Sequence, residues 1–297
     1  MRILYWVFAG ALVLLLGTGL TVVGIVLHRT PGRYLDAAGV SLYYTDEGQG
    51  EPVLLLHGFA VNSDLNWRLP GITAVLARQF RVIALDLRGH GLSDKPHSTD
   101  QYGLEMVKDV PRLLDHLHIE KVHLVGYSLG GFIALKAAAL YPQRLRDLTL
   151  IGAGWERREN SAFLHALDDF ADALKAGRAI GPLIARLGPG HPPVGLAHTV
   201  VNRIMTGFFS DKQALADLIR SLPALTLSEQ DLRSLAMPVC AIIGTRDPLR
   251  SSAEALQGRV PDFTLVLLAG AGHITAAGRS ETRRVLVNFL HKGQCKY

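Results

Sequence analysis

The residues best placed to do covalent chemistry begin with Ser128, in the run Val122-His123-Leu124-Val125-Gly126-Tyr127-Ser128-Leu129-Gly130-Gly131-Phe132-Ile133-Ala134. An apolar strand runs into Gly-x-Ser-x-Gly and on into an Ala-rich helix. A serine held on so tight a strand-to-helix turn takes a strained backbone conformation, and neighbours carrying a Cβ would crowd it. The helix that follows turns its unpaired N–H groups and the positive end of its dipole toward the site. The chemistry this arrangement supports is nucleophilic attack by a serine. The competing explanation is a structural turn with a bystander serine, which leaves the strand–turn–helix context without a reason.

A serine nucleophile needs a base, and the base needs an acid to orient it. Twelve histidines are available, so position has to choose among them. His273 ends Leu267-Leu268-Ala269-Gly270-Ala271-Gly272-His273, a glycine-flanked loop directly after the last strand-like run. Asp247 holds the equivalent place one strand earlier, in Ile242-Ile243-Gly244-Thr245-Arg246-Asp247-Pro248. A parallel sheet gathers such loops at its carboxyl edge, beside the serine.

Other polar residues receive structural roles. His57 is expected to shape its loop by bonding nearby backbone, and Asp86, Arg88 and His90 to shape a turn. Asp94 is expected at the surface or as a cap. His116, His118 and His123 fall on a helix end or a strand, with no metal site expected. Asp168, Asp169 and Asp172 share one solvated helix face. Trp155, Phe208 and Phe209 fit either an acyl pocket or packing of an insert. Cys240, in an apolar strand, is expected as a small buried hydrophobe, because two cysteines cannot staple a fold of this size.

The elements that must position these groups are read from periodicity. Tyr34 to Tyr44 reads as a hairpin around a glycine-containing turn. Strand-like runs follow at Val53–Leu56, Val82–Leu85, Val122–Val125, Leu148–Ile151, Val239–Ile243 and Thr264–Leu268. Helix-length segments lie between them, near 67–78, 102–118, 130–141, 252–258 and 280–291. Short continuous apolar strands alternating with helices predict an α/β fold with a mostly parallel sheet covered on both faces. Residues 155–235 break the alternation with helical periodicity only, interrupted by the turn-rich Gly188-Pro189-Gly190-His191-Pro192-Pro193. They are expected to form a helical lid between a first core segment, 33–154, and a second, 236–297.

The amino terminus is of another kind. Ile3 to Leu27 carries no charge, and a helix of that length reaches roughly 37 Å, enough to cross a bilayer core. Residues 1–29 are therefore expected to be an uncleaved single-pass transmembrane anchor, with a cleaved signal peptide as the rival. The charge flanking the segment is too even to orient it. The chain has 297 residues, 48% hydrophobic and 19% charged, with a formal charge of +5. Disorder is excluded. A pI near 9.3 invites nucleic acid as a partner, but no block of five or six basic residues supports it. Mean hydropathy is +0.21, raised largely by the apolar terminus.

Taken together these segments resemble the α/β-hydrolase-fold enzymes of the serine esterase and lipase type, monoacylglycerol lipases among them, over about residues 33 to 291. The resemblance rests on Leu56-His57-Gly58-Phe59, on Asp86-Leu87-Arg88-Gly89-His90-Gly91-Leu92-Ser93, on the serine turn, and on the loops of Asp247 and His273. It implies an eight-stranded sheet, the chain order Ser128…Asp247…His273 for a catalytic triad, and an oxyanion hole from the backbone N–H groups of Phe59 and Leu129. Relatives that open epoxides or remove halides would carry Asp at position 128. The expected activity is hydrolysis of an apolar or lipid-like carboxylic ester through an acyl-enzyme, without cofactor or metal, by a monomer. Carbon–carbon bond hydrolysis of a ring-cleavage product is the alternative within enzymes, and a membrane-tethered binding protein on the same scaffold the alternative outside them. The stretch after His273, Ile274-Thr275-Ala276-Ala277-Gly278-Arg279, lacks the acidic residue and proline common in that family, so no subfamily's substrate transfers with it.

Overall fold

A computed structural model describes residues 29–156, 161–176 and 211–297. Residues 1–28 of the expected anchor lie outside them, and among the described residues no helix is long and apolar enough to cross a membrane.

The described residues build one eight-stranded sheet: β1 (Arg33–Asp36), β2 (Ser41–Glu47), β3 (Glu51–Leu56), β4 (Phe80–Leu85), β5 (Val122–Tyr127), β6 (Leu145–Ile151), β7 (Val239–Gly244) and β8 (Phe263–Leu268). Their spatial order is β1-β2-β4-β3-β5-β6-β7-β8. The β1–β2 hairpin pairs antiparallel within itself and with β4, and every later pairing is parallel.

The central strands read as unbroken apolar runs because both of their faces are buried. Leu54 and Leu56 point into one core with Met106, Val110 and Leu113 of α1 (Leu104–His116) and Ile133 and Ala137 of α2 (Leu129–Leu140). Val53 and Leu55 point to the other side. Between β6 and β7 the described residues form helices and no strand, chiefly α3 (Ser161–Lys175) and α4 (Lys212–Ser221). The Gly188–Pro193 turn and Phe208 and Phe209 lie outside the described residues. The last long helix, α5 (Ser280–Lys292), packs Val285, Leu286 and Phe289 on the second core.

Cys240 corrects the sequence reading. It is buried in β7, but as half of a disulfide with Cys295, whose Cα is 5.6 Å away. The expectation failed because Cys295 lies in the tail beyond α5, and only the packing of that helix returns it to β7.

At the amino end of the sheet, His123 Nδ1 is 2.6 Å from Asp147 Oδ2 and Nε2 is 3.3 Å from Glu51 Oε2. Burial opposes charge on the imidazole, yet its hydrogen bond and attraction to Asp147, with Glu51 adding, hold its pKa above the ordinary 6.5. Burial raises Asp147 as well, so the folded pair binds its protons more tightly than the unfolded chain. The raised pKa of His123 contributes stability that is full below 6.5 and is lost as pH climbs through the folded value. Urea unfolding of the wild type is therefore expected to show falling stability as pH rises from 6.5, a slope that His123→Phe removes. An unchanged slope in that variant would show that other groups set it.

Candidate active site

Chain order reverses at β3: the chain goes next to β4 on one side, then crosses to β5 on the other. Such a reversal leaves a crevice outside the carboxyl ends of the two neighbouring strands, which is where open α/β sheets place ligands. Here β5 delivers Ser128 to that crevice and β3 delivers the loop of His57 to Ala60.

Ser128 sits at φ 51°, ψ −116°, a conformation L-residues avoid, and heads α2. The neighbouring glycines make the turn feasible. A Cβ on Gly126 would stand 2.3 Å from the Gly130 carbonyl oxygen, and one on Gly130 would stand 2.1 Å from that of Leu56. The Gly130 N–H donates to the His57 carbonyl at 3.1 Å. That bond ties the first turn of α2, where the Leu129 N–H has no intrahelical acceptor, to the loop that carries Phe59.

The structure brings the three expected side chains into one line. His273 Nε2 is 2.9 Å from Ser128 Oγ, and its Nδ1 is 3.0 and 3.1 Å from the two Asp247 carboxylate oxygens. Asp247 also accepts the Leu249 N–H at 2.9 Å. His273 and Asp247 are buried, while Ser128 keeps partial access. An imidazole whose Nδ1–H is held by a carboxylate offers a bare Nε2 to the serine, the state needed to accept a hydroxyl proton.

Several contributors had no role in the sequence reading. Tyr127 donates its hydroxyl to the His273 carbonyl, and its ring lies 5.3 Å from the imidazole; burial pushes its phenol pKa up, keeping it a donor. Gly152 closes β6 at φ 59°, and a Cβ there would meet His273 and Asp247 at 3.2 and 3.4 Å. Its signal was available, as a glycine directly after a strand at the carboxyl edge. Asn66, itself buried, accepts the Gly58 N–H at 2.8 Å and braces the same loop.

The structural assignments have found their partners. The Leu87 N–H donates to His57 Nε2 at 3.0 Å, and the other ring nitrogen lies 2.7 Å from the Gly58 carbonyl. Arg88 forks onto Asp109 at 2.6 and 2.7 Å. Asp86 accepts from Ser63 and Leu92, both at 2.9 Å. Asp94, exposed, accepts the Ser41 N–H at 2.7 Å. Asp168, Asp169 and Asp172 are exposed, the last paired with Arg220. Trp155 is buried and donates to the Leu227 carbonyl at 2.8 Å, which makes it packing for the returning insert.

Comparison with known proteins places this geometry among relatives. The family profile described as the alpha/beta hydrolase fold matches residues 51–185. A dihydrolipoyllysine-residue acetyltransferase component of the acetoin cleaving system of Pseudomonas putida is 32% identical over 252 residues, 82% of this chain and 64% of that protein. Mycobacterial relatives are 33% identical over the same length, so the match spans 64% to 71% of these first relatives. A 2-hydroxymuconate semialdehyde hydrolase of P. putida is 29% identical over 87% of this chain and 94% of its own. Among solved structures, the meta-cleavage product hydrolase of Pseudomonas fluorescens IP01 superposes with a TM-score of 0.71 at 27% identity, covering 89% of this chain and 98% of that one.

Proposed function

The chain belongs to the alpha/beta hydrolase superfamily, and from that premise we propose that it cleaves the carbon–carbon bond beside a carbonyl in a 2-hydroxy-6-oxodienoate, a ring-cleavage product. The observation that carries the reading is the line from Asp247 through His273 to Ser128. Two relatives aligned over nearly their whole length, named for 2-hydroxymuconate semialdehyde and for meta-cleavage products, support that substrate class. They reverse the order in which the sequence alone ranks ester and carbon–carbon cleavage.

In this mechanism Ser128 Oγ attacks the 6-carbonyl carbon while His273 Nε2 takes the proton. Asp247 holds the tautomer and stabilises the imidazolium. The N–H groups of Phe59 and Leu129 receive the developing oxyanion, contacts of which each is worth about 10²–10³ in rate. The enol substrate first passes its 2-hydroxyl proton to C5, giving the 2-oxo tautomer, so that collapse breaks the C5–C6 bond with its electrons drawn through C3=C4 onto the 2-oxo oxygen. His273 returns the proton to that oxygen, which releases a 2-hydroxypenta-2,4-dienoate. Water activated by the same imidazole then releases the acyl group. The described helices of the insert, α3 and α4, act as a lid on the loop after β3, with Phe170 of α3 against Phe59.

Ester hydrolysis is the second reading, favoured by the Phe59 and Phe170 rings. They meet edge to face at 5.7 Å and give the oxyanion loop an apolar wall suited to an acyl chain. The test pairs a fluorophosphonate probe with two substrates, 2-hydroxy-6-oxohexa-2,4-dienoate and nitrophenyl esters. Labelling of the wild type but not of Ser128→Ala, with kcat/KM higher for the dienoate, is the expected result. Higher kcat/KM for the esters would establish the second reading. Equal labelling of Ser128→Ala, or none of the wild type, would remove Ser128 as nucleophile.

A further inference from the structure

The backbone that presents Phe59 is not held by its own geometry. Ala60, the next residue, sits at φ 56°, in the left-handed region that side chains other than glycine avoid. Such a conformation persists only where surrounding contacts over-determine it. The contact here is a hydrogen bond from the Ala60 N–H to Nε2 of His90, at 3.0 Å. The His90 Nδ1 lies 3.2 Å from the Arg88 carbonyl, to which it donates, and that bond fixes the tautomer with Nε2 bare. The imidazole is 2% exposed and is flanked edge-to-face by His57 at 5.1 Å and by Phe59 itself at 5.9 Å.

From this geometry we infer that His90 is a positioning residue for the proposed hydrolysis, an acceptor that locks the Ala60 peptide and so aims the Phe59 N–H at the oxyanion. The inference rests on the roles proposed above for Phe59 and Ser128. Two further bonds brace the loop after β3 against the loop after β4, Leu87 N–H to His57 and Ser63 N–H to Asp86. His90 differs from these in acting on the residue adjacent to the donor. It can do so only while unprotonated, because the Ala60 N–H has nothing to give an imidazolium. Burial first, and the neighbouring His57 second, push its pKa down to about 3, with Lys95 adding and Asp86 and the Arg88 carbonyl opposing.

An oxyanion contact tightens in the transition state, so its misalignment reduces kcat more than it changes substrate binding. His90→Phe keeps a ring of similar volume and removes the acceptor. It is expected to lower kcat on the preferred substrate by roughly 10- to 100-fold, part of the loss of one oxyanion donor, with KM within about twofold. His90→Gln carries an amide oxygen able to reach Ala60 and is expected to recover most of that loss. Should His90→Phe not fold, His90→Asn, whose acceptor is too short to reach, replaces it in the comparison. Wild-type kcat in the acceptor-less variant, an equal loss in His90→Gln, or a loss confined to KM would overturn the inference. Fluorophosphonate labelling of wild type and Ser128→Ala accompanies the series. A labelling result that removes Ser128 as nucleophile defeats the proposed function, whereas correct labelling with an unaffected His90→Phe defeats this inference alone.

Discussion

Ser128→Ala is expected to lower kcat by about 10⁶-fold and Asp247→Asn by about 10⁴-fold, with KM little changed in either. The first removes the atom that lies 2.9 Å from His273 Nε2, leaving only the oxyanion donors and substrate binding to assist water. The second leaves the shape of the site intact but changes a tautomer. Nδ1 of His273 faces both Asp247 oxygens; an amide there can present N–H, which drives the imidazole proton onto Nε2, toward the serine it has to deprotonate. Because the three groups act as a unit, the double variant is expected to be only slightly slower than Ser128→Ala alone. Steady-state kinetics of the three variants on the preferred substrate measure this. An Asp247→Asn kcat within tenfold of wild type would show that the carboxylate does not set the tautomer.

Breaking the Cys240–Cys295 bond is expected to remove about 4 kcal/mol of stability, the loop-closure entropy that a bridge across 55 residues takes from the unfolded chain. Cys240 is at the amino end of β7, while Asp247 follows its carboxyl end. The kcat of Cys295→Ser well below its melting temperature is therefore expected to match wild type. Urea unfolding of wild type, of reduced wild type and of Cys295→Ser gives the comparison. Identical midpoints for all three would mean that the bridge adds nothing to the folded state beyond the packing of α5.

The reading of the sheet succeeded where the signal is local and both faces are buried. The runs at Val53–Leu56, Val122–Val125 and Val239–Ile243 fall inside β3, β5 and β7, because a strand covered on both sides shows itself as a continuous apolar run. The serine turn was readable for a similar reason. Gly126 and Gly130 stand where the fold leaves no room for a Cβ, and that requirement is written into adjacent positions. Residues whose partner is remote in sequence gave no such signal. His90 and Ala60 are 30 residues apart, and Tyr127 and His273 are 146 apart. His90 could be read as shaping a turn, but not as holding the peptide beside Phe59.

Sequence alone determined the order of strands and helices and the loops that carry Ser128, Asp247 and His273, because periodicity and glycine placement are properties of neighbours along the chain. The tertiary structure decided how the chain reverses at β3, which sets the serine turn beside the His57–Ala60 loop. It also decided which histidine braces the loop, and that the two cysteines are joined. Each of these depends on segments brought together only when both faces of the sheet are buried, and no spacing within a segment encodes that.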